Sequence, residues 1–566
     1  MFKTLIFSNN NFIDDNKRKI FLGEWLLLNK NKFKNYEVIK YNEKKDRKYK
    51  DFEYVKKTYE RVLSNLTPIL NSIHKKNYKK KDWEILIFYF LSNYIFFAYD
   101  KWKLIKKINK KHNFDPVEVF TYKKNYFLQE DSKGFFYQLK SDKWDDWLYS
   151  KIIKAQKFNF IEKKVNIKKK YKEDFDNIYK LRLQNFFPAT DNKYFLKNVV
   201  LPKLLKLKLN LILNKNIGFY NDINLKKNKI FSEKRNLFTS IKCKNSFEKF
   251  IYNTLSEIFP KSYLENFSLI EKNIKFLNWP KDPKIILTSY DHYFNEAFKI
   301  YTINKIRNGS KFYILQHGYQ GHHDFCGTFY EKKICNKYLS WGNNSKDKKV
   351  IPLFCTTNFG KKIKKKIKKD IIISYTEFPL KPWKQQIYPR LIDETKIYKD
   401  ELINLIGSFK INEKKIDLKY YDNNEKKKYI TNEIKKKFKK INFISTNKKK
   451  KGFEFSDQYR LIIETTNSTG FIELLSLNIP VILITNKKFF LIKKEYKKYY
   501  DALIKSKIIF FDTKKASNFI NLNINKINNW WFNEVTQKRI KYFCNHLCKY
   551  EGNLNDGLDK ILNKIR

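Results

Sequence analysis

The sequence predicts an α/β protein with two Rossmann-like, doubly wound domains and a large helical insertion in its N-terminal half. Short apolar runs alternate with helical stretches from residue 284 onwards, and the alternation restarts after a basic segment at 343–369. Residues 51–280 instead show long helical periodicity with few Gly or Pro residues. Strands that alternate with helices are typical of a parallel sheet covered on both faces, and 566 residues exceed one ordinary core.

The domain boundaries follow from this alternation. We predict an N-terminal domain at 1–345 with its insertion at about 51–280, a basic linker at 346–369 and a C-terminal domain at 370–566. A helix is predicted at 291–308. Apolar runs predict strands at 19–22, 284–289, 311–315, 336–342, 371–375, 416–420, 442–445, 461–464, 480–484 and 507–511. Two such domains in series would place a ligand-binding cleft at the carboxyl ends of their strands.

Net charge is the most unusual property of the composition. The chain has 119 Lys and Arg residues against 58 Asp and Glu residues, a net charge of +61. Such a charge is typical of nucleic-acid binding, because lysines that neutralise phosphates release counterions. Here the lysines are spread along the whole chain and far outnumber the arginines, which favours compositional drift in an AT-rich genome over a dedicated nucleic-acid surface. The same charge predicts attraction to anionic lipid headgroups and anionic substrates.

Cysteine content and hydropathy indicate a cytoplasmic protein. The six cysteines show no spacing typical of a disulfide framework, and no signal peptide is recognised at the N-terminus. The longest apolar run, 85–99, is shorter than the roughly 20 residues of a membrane-spanning helix, so we expect a buried helix there. Cys544, His546 and Cys548 resemble part of a metal site, but the absence of a second ligand pair nearby argues against one.

The segment 467–482 gives the strongest indication of function. A loop with Ser468, Thr469 and Gly470 opens a helix, Glu473 lies one turn into it, and a buried strand follows. First-turn N–H groups of a helix lack intrahelical partners and carry partial positive charge, so they suit an anionic phosphate. Glu473 is close enough to that end to accept hydrogen bonds from ribose or sugar hydroxyls. An ordinary helix start with Ser468 as N-cap is the alternative interpretation.

A second candidate site follows the strand predicted at 311–315. His317 lies between Gln316 and Gly318 at the end of this strand, where it could contact a diphosphate or leaving-group oxygen, or act as an acid or base. Gly318 would let the backbone approach a ligand closely. The His-His-Asp sequence at 322–324 follows at once, but one tight loop rarely provides convergent metal ligands. A structural role for His317 in a turn is the alternative.

Two further positions are weaker candidates. Gly23 and Glu24 follow an early apolar run at 19–22, and in a two-domain transferase such a loop faces the acceptor. Glu24 is therefore a candidate general base that deprotonates an acceptor hydroxyl, with an ordinary surface carboxylate as the alternative. Lys419, near the end of a predicted strand, is a weak candidate for a phosphate contact, because the chain offers 119 basic residues.

Several segments, in this order and at these spacings, resemble a family of bacterial surface-polysaccharide transferases. The similarity covers roughly residues 19–545. The segments are FLGEW (21–25), WEILI (83–87), YDKW (99–102), ILTS (286–289), QHG (316–318), LSWG (339–342), STGFIE (468–473), NIP (478–480), YYDAL (499–503) and WW (530–531). The chain departs from the family in having fewer Gly residues after His317, and in having Lys419 where the family favours Arg, whose planar fork binds phosphate bidentately.

The resemblance implies a GT-B-like fold and a glycosyltransferase that moves a sugar from a nucleotide-activated donor to a cell-surface polysaccharide, lipid-linked or protein acceptor. A CMP-linked keto-sugar, nonulosonic acids included, is a candidate donor. No cofactor or metal is expected, because helix ends and cations can stabilise the departing phosphate. The candidate donor contacts are Gly23, Gln316, Gly318, Ser468, Thr469, Gly470 and Glu473, and the candidate catalytic residues are His317 and Glu24. A basic nucleic-acid-binding protein and a nucleotide-sugar epimerase of similar fold remain alternatives.

Overall fold

The structure is a computed structural model. It describes residues 2–14, 16–23, 26–27, 35–39, 45–166, 189–217, 220, 222, 232–318, 328–342, 345–363, 366–377, 392–421, 428–445, 456–488 and 490–566. The chain forms two compact units. Unit 1 comprises the described residues of Met1–Lys197 and Asn216–Lys311, and unit 2 comprises those of Asn198–Lys215, Phe312–Leu380 and Gln386–Arg566.

Helices and parallel strands make up both units. The strands are β1 (Thr4–Ile6), β2 (Lys19–Phe21), β3 (Tyr36–Val38), β4 (Val117–Thr121), β5 (Phe160–Lys164), β6 (Tyr194–Lys197), β7 (Ile285–Thr288), β8 (Lys311–Leu315), β9 (Lys337–Ser340), β10 (Val350–Pro352), β11 (Lys369–Thr376), β12 (Ile416–Tyr421), β13 (Asn442–Ser445), β14 (Tyr459–Glu464), β15 (Val481–Ile484) and β16 (Ile509–Phe510). The helices are α1 (Lys45–His74), α2 (Lys80–Asn109), α3 (Ser132–Gln138), α4 (Asp142–Ala155), α5 (Lys203–Asn214), α6 (Ser246–Ile258), α7 (Phe267–Ile274), α8 (Asp291–Phe294), α9 (Glu296–Arg307), α10 (Thr328–Ile334), α11 (Ile392–Gly407), α12 (Tyr429–Lys437), α13 (Thr469–Ser476), α14 (Lys497–Lys505), α15 (Thr513–Asn523), α16 (Ile527–Trp531), α17 (Glu534–Leu547) and α18 (Leu554–Ile565). The predicted α/β class with parallel sheets is confirmed.

The strands of unit 1 pair in parallel. β1, β2 and β3 form a sheet in that order, with Thr4 opposite Lys19 and Lys19 opposite Tyr36. β4 pairs with β5, and β6 pairs with β7. The prediction for 284–289 is confirmed by β7, whereas β4, β5 and β6 lie inside the segment predicted to be helical. Runs of four or five residues are too short to stand out from the helical periodicity around them.

Two long helices dominate the predicted insertion. α1 and α2 are each 30 residues long. α2 buries large side chains around its circumference, among them Trp83, Phe90 and Tyr94, as expected of a helix inside a large core. The buried helix predicted at 85–99 is therefore confirmed. Among the described residues, no helix has the length and apolar character needed to span a membrane.

The core of unit 2 is a six-stranded parallel sheet in the order β13-β12-β11-β14-β15-β16. All six strands were predicted from their apolar runs. The chain enters at β11, adds β12 and β13 on one side, and then continues with β14 on the other side of β11. The strand order therefore reverses between β11 and β14. In open α/β sheets, ligands bind outside the carboxyl ends of the strands at such a switch point.

Both faces of this sheet are covered. Ile372 of β11 packs in a core with side chains of α13, α14 and α17, whereas Ile371 and Ile373 pack in a second core with α11, α12 and α15. This alternation arises because successive side chains along a strand point to opposite faces of the sheet. A doubly wound unit requires apolar side chains on both faces, and the nearly continuous apolar run of β11 supplies them.

Strands β8, β9 and β10 of unit 2 pair in parallel in the order β10-β9-β8. The segment 346–369, predicted to be a linker, contains β10 and a 3-10 turn at Thr356–Asn358, and it belongs to unit 2. The end of the chain packs against it. Cys355 donates a backbone hydrogen bond of 2.7 Å to Lys549, which in turn donates one of 2.8 Å to Trp341.

Candidate functional site

Three polar side chains form a row across the switch point of unit 2. Ser374 of β11 is paired with Lys419 of β12 on one side and with Glu464 of β14 on the other. In-register neighbours in a sheet project to the same face. Ser374 lies two residues after Ile372 on β11, so the two side chains project to the same face of the sheet. Ile372 packs in a core that includes side chains of α13. The row therefore lies near the carboxyl ends of its strands, on the face of the sheet that α13 covers.

Burial determines the electrostatics of this row. Glu464 is 6% exposed and Lys419 is 9% exposed. Burial raises the pKa of Glu464 to about 7, opposed by the nearby Lys419 charge and by hydrogen bonds from the Ser374 and Ser468 hydroxyls. Burial also lowers the pKa of Lys419, against the attraction of Glu464 and Glu473. Such shifts are typical of sites that bind or transfer charge.

The loop after β14 carries the chain from this row into α13. Ser468 occupies the N-cap position of α13, but its side chain makes no capping hydrogen bond; its hydroxyl bonds Glu464 instead. A Cβ atom on Gly470 would lie 3.4 Å from a carboxylate oxygen of Glu464. The Glu464 carboxyl group therefore lies against the first turn of α13. Thr465 fixes the start of the loop through hydrogen bonds of 3.1 Å and 3.0 Å to the Ser374 carbonyl.

Glu473 lies one turn into α13 and is half-buried. Its carboxylate interacts electrostatically with Lys419 and Glu464. The predicted residues Ser468, Thr469, Gly470 and Glu473 thus lie on one helix start beside the row. The structure brings Lys419, the weakest candidate of the sequence prediction, close to that group.

A second carboxylate lies just after the carboxyl end of β11 and has a structural task. Glu377 is 2% exposed and accepts hydrogen bonds from the backbone N–H groups of Ile430 and Thr431, at 2.7 Å and 3.1 Å. It also accepts one from the Thr431 hydroxyl at 2.7 Å. These contacts cap the start of α12, where a carboxylate is stabilised by the helix dipole. Glu464 and Glu473 are therefore the carboxyl groups of the candidate site.

The predicted site after β8 is partly structural. The Gln316 side-chain amide donates to the Gly318 carbonyl at 2.8 Å and accepts from the Trp341 backbone N–H at 2.8 Å. The backbone carbonyl of Gln316 accepts from the Trp341 indole N–H at 3.0 Å. Gln316 therefore ties the strand end to Trp341. His317 follows it and is half-buried. Gly318 is buried beside it.

Other predicted positions fall outside the described residues. Glu24 is among them, as are the residues at 322–324, whereas Gly23 is buried two residues after β2. Among the described residues, no three His, Cys, Asp or Glu side chains are grouped as a metal site. Cys548 is fully buried with its sulfur 3.6 Å from that of Cys544, and the His546 ring stacks on Tyr499.

Sequence reasoning missed Ser374 and Glu464. Glu464 was included only as the last residue of a predicted strand, although a carboxylate at the carboxyl end of an otherwise apolar parallel strand is itself a signal. Ser374 offered no signal, because its importance comes from the register of β11 with β12 and β14. Asn358 was also missed; it contacts α13 from the segment predicted to be a linker.

Comparison with known proteins identifies the family. A family model described as LIC12162 family transferase matches residues 4–562. The chain belongs to this family. The predicted membership of a transferase family is thereby confirmed. No curated protein sequence matches this transferase.

Solved structures show only remote similarity to this LIC12162 family transferase. TarM is 13% identical with a TM-score of 0.31, over 50% of this chain and 54% of TarM, so the chain spans about half of TarM. The wall teichoic acid polymerase TagF is 11% identical with a TM-score of 0.30, over 51% of this chain and 73% of TagF. MurG of Acinetobacter baumannii is 10% identical with a TM-score of 0.30, over 53% and 78%. At such TM-scores, none of these similarities supports an inference about activity.

Proposed function

We propose that this transferase is a GT-B-type glycosyltransferase and that unit 2 binds its nucleotide-activated sugar donor at the switch point. The observation that carries the proposal is the row of Lys419, Ser374 and Glu464 beside the start of α13. It combines a buried ammonium group, first-turn N–H groups and a nearby carboxylate on one edge of a parallel sheet. A sugar nucleotide needs the same combination, because it presents phosphates next to hydroxyl-rich rings.

Each residue has a distinct task in this proposal. Lys419 and the first turn of α13 bind the donor phosphate, since both provide positive charge in a partly desolvated place. Glu473 accepts hydrogen bonds from ribose or sugar hydroxyls. Glu464 is a positioning residue that holds the Ser468 hydroxyl and keeps Lys419 in the row.

The transfer step breaks the bond between the anomeric carbon and the phosphate oxygen and forms a bond from that carbon to the acceptor oxygen. The leaving phosphate keeps the electron pair of the broken bond, and Lys419, the start of α13 and His317 stabilise its charge. The acceptor hydroxyl loses its proton to a base, for which Glu24 remains our candidate. The acceptor is a surface polysaccharide, a lipid-linked precursor or a protein, bound by the N-terminal domain.

Thermal-shift screening with UDP-, GDP-, CMP- and dTDP-linked sugars tests donor binding. A ligand that binds only the folded protein raises the melting temperature by mass action, so the true donor class is recognised directly. CMP-linked keto-sugars are the expected class. If no sugar nucleotide raises the melting temperature, unit 2 is not a donor site and the proposal is wrong.

Matched variants locate the site. Lys419→Met and Glu473→Gln are expected to weaken donor binding about tenfold to hundredfold, the usual cost of losing a charged hydrogen bond. Lys419→Arg should keep most of the binding, because the fork of Arg also binds phosphate. The exposed Lys414, on the turn before β12, provides the matched control, and Lys414→Met should bind the donor like the wild type. Equal binding by Lys419→Met, Glu473→Gln and the wild type would contradict the proposed site.

Activity distinguishes transfer from isomerisation. With the donor found by screening, His317→Ala should lower the rate of transfer while the melting temperature without ligand stays within a few degrees of the wild type. Conversion of the free nucleotide sugar into an isomer, with no acceptor present, would instead identify an epimerase and overturn the glycosyltransferase proposal.

A further inference from the structure

Helix α5 of unit 2 has an apolar outer surface. Leu205 and Leu209 are buried, whereas Leu204 is 63% exposed and Leu211 is 47% exposed. Two more aliphatic side chains of the same helix are also exposed, Leu207 at 36% and Ile212 at 44%. The spacing Leu204, Leu207, Leu211 corresponds to i, i+3 and i+7, so these side chains form one stripe along the helix.

This stripe, defined as Leu204, Leu207, Leu211 and Ile212, differs from a random scatter of exposed residues. Single exposed leucines are common on protein surfaces, but four on one short helix form a patch. α5 carries leucines on both its buried and its exposed faces. The buried leucines belong to the protein core. The exposed leucines can be removed from water only by contact with another apolar surface.

Lysines surround the stripe. Lys203 and Lys208 are exposed on α5, and Lys215, also exposed, follows its last turn. Lys208 lies within the exposed sector itself, between Leu204 and Ile212 on the helical wheel. Long lysine side chains can place their charges at the level of lipid phosphates while their methylene stems lie against apolar surface.

We propose that α5 is an interfacial helix that docks this transferase on an anionic membrane surface, with the stripe inserted among lipid acyl chains and the lysines on headgroup phosphates. Apolar residues flanked by lysines on one helical face are characteristic of helices that lie in the plane of an anionic bilayer. The net charge of +61 acts in the same direction over longer distances.

A second copy of the chain fits this surface less well. In a symmetric dimer each α5 would pack against its own copy, which brings the two copies of Lys208, at the middle of the helix, close together. Like charges at such a contact repel, whereas anionic lipid neutralises them. The proposal is independent of the donor site, because it requires neither a sugar nucleotide nor catalysis.

Vesicle co-sedimentation of the full chain tests the proposal without any donor. Wild-type protein should bind phosphatidylglycerol vesicles, with binding that weakens as salt is added, and should bind phosphatidylcholine vesicles at least tenfold more weakly. Leu207→Glu/Leu211→Glu should reduce binding to phosphatidylglycerol at least tenfold. The control is Leu522→Glu, which changes an 83% exposed leucine of α15 and should bind like the wild type. Lys203→Gln/Lys208→Gln should lower binding to anionic vesicles only.

Several results would overturn the proposal. One is the absence of wild-type binding to phosphatidylglycerol, and another is undiminished binding by Leu207→Glu/Leu211→Glu, which would leave charge alone responsible. A dimer of the wild type in lipid-free solution that this variant converts to a monomer would assign the stripe to a second copy. If the glutamates impair folding, the milder Leu204→Gln/Leu211→Gln pair is measured in their place, with the same expected loss.

Discussion

The side-chain amide of Asn358 donates a hydrogen bond of 2.7 Å to the backbone carbonyl of Glu473, although 115 positions separate the two residues. The same amide nitrogen donates a second bond of 2.6 Å to the Ser476 hydroxyl. Asn358 is fully buried, and it holds α13 from the segment that follows β10. The position of the proposed phosphate-binding helix therefore depends on this asparagine.

We expect Asn358→Ala to destabilise the protein and to weaken donor binding. Losing both bonds leaves the buried Ser476 hydroxyl with fewer partners, at a cost of about 1–3 kcal/mol in the free energy of unfolding. Chemical denaturation and thermal shift with the donor measure the two effects. Asn404→Ala, a change at an exposed position of α11, serves as control. Wild-type stability of Asn358→Ala would contradict the expected role.

Gln316 offers a test that separates structural from donor-binding roles. Its amide donates to Gly318 and accepts from Trp341, so Gln316→Glu removes a donor and places a charge in a buried position. We expect a loss of about 1–3 kcal/mol in the free energy of unfolding. Denaturation without ligand measures it. Unchanged stability together with weaker donor binding would show that Gln316 contacts the donor, as the sequence suggested.

The sequence was informative where the signal is local. The six strands of the unit 2 sheet were recognisable because buried parallel strands are continuous apolar runs. The start of α13 was recognisable because Ser468, Thr469 and Gly470 precede an apolar helix with Glu473 one turn in. These features depend on neighbours within a few positions along the chain, and a single sequence contains that information.

The rest depends on pairings between distant parts of the chain. Lys419 and Glu464 are brought together only by their register with Ser374, and a shift of one residue would turn each side chain to the other face. The assignment of 346–369 to unit 2 depends on contacts such as the bond between Cys355 and Lys549. Such contacts involve backbone groups, which are the same in every residue and leave no trace in composition.

Gly342 is expected to tolerate no side chain. A Cβ atom at this position would lie 2.5 Å from the backbone carbonyl carbon and oxygen of His546, so Gly342→Ala must displace α17 or the strand end. We expect a loss of about 1–3 kcal/mol in the free energy of unfolding, as for overpacked cores. Gly407, at the end of α11, is the matched control, because its Cβ would meet only the Phe438 ring, at 3.7 Å. Gly407→Ala should be neutral or slightly stabilising.

The stability of this transferase should fall as the pH rises above the ordinary pKa of a glutamate side chain. Burial raises the pKa of Glu464 from 4.5 to about 7, so between these values the folded state holds a proton that the unfolded chain releases. The unfolded state then binds fewer protons, and the free energy of unfolding decreases with rising pH over this window. The full loss amounts to about 3 kcal/mol once both states are ionised.

Glu464→Gln removes this dependence because its side chain stays neutral. Relative to the wild type, the variant should gain up to about 3 kcal/mol of stability between about pH 5 and about pH 8, as measured by urea denaturation across that range. Glu433→Gln, on the half-exposed face of α12, is the control and should track the wild type. If the free energy of unfolding changes with pH in the same way for Glu464→Gln and the wild type, Glu464 is already ionised in the folded protein at pH 5. Its carboxylate would then be a permanent counter-charge to Lys419.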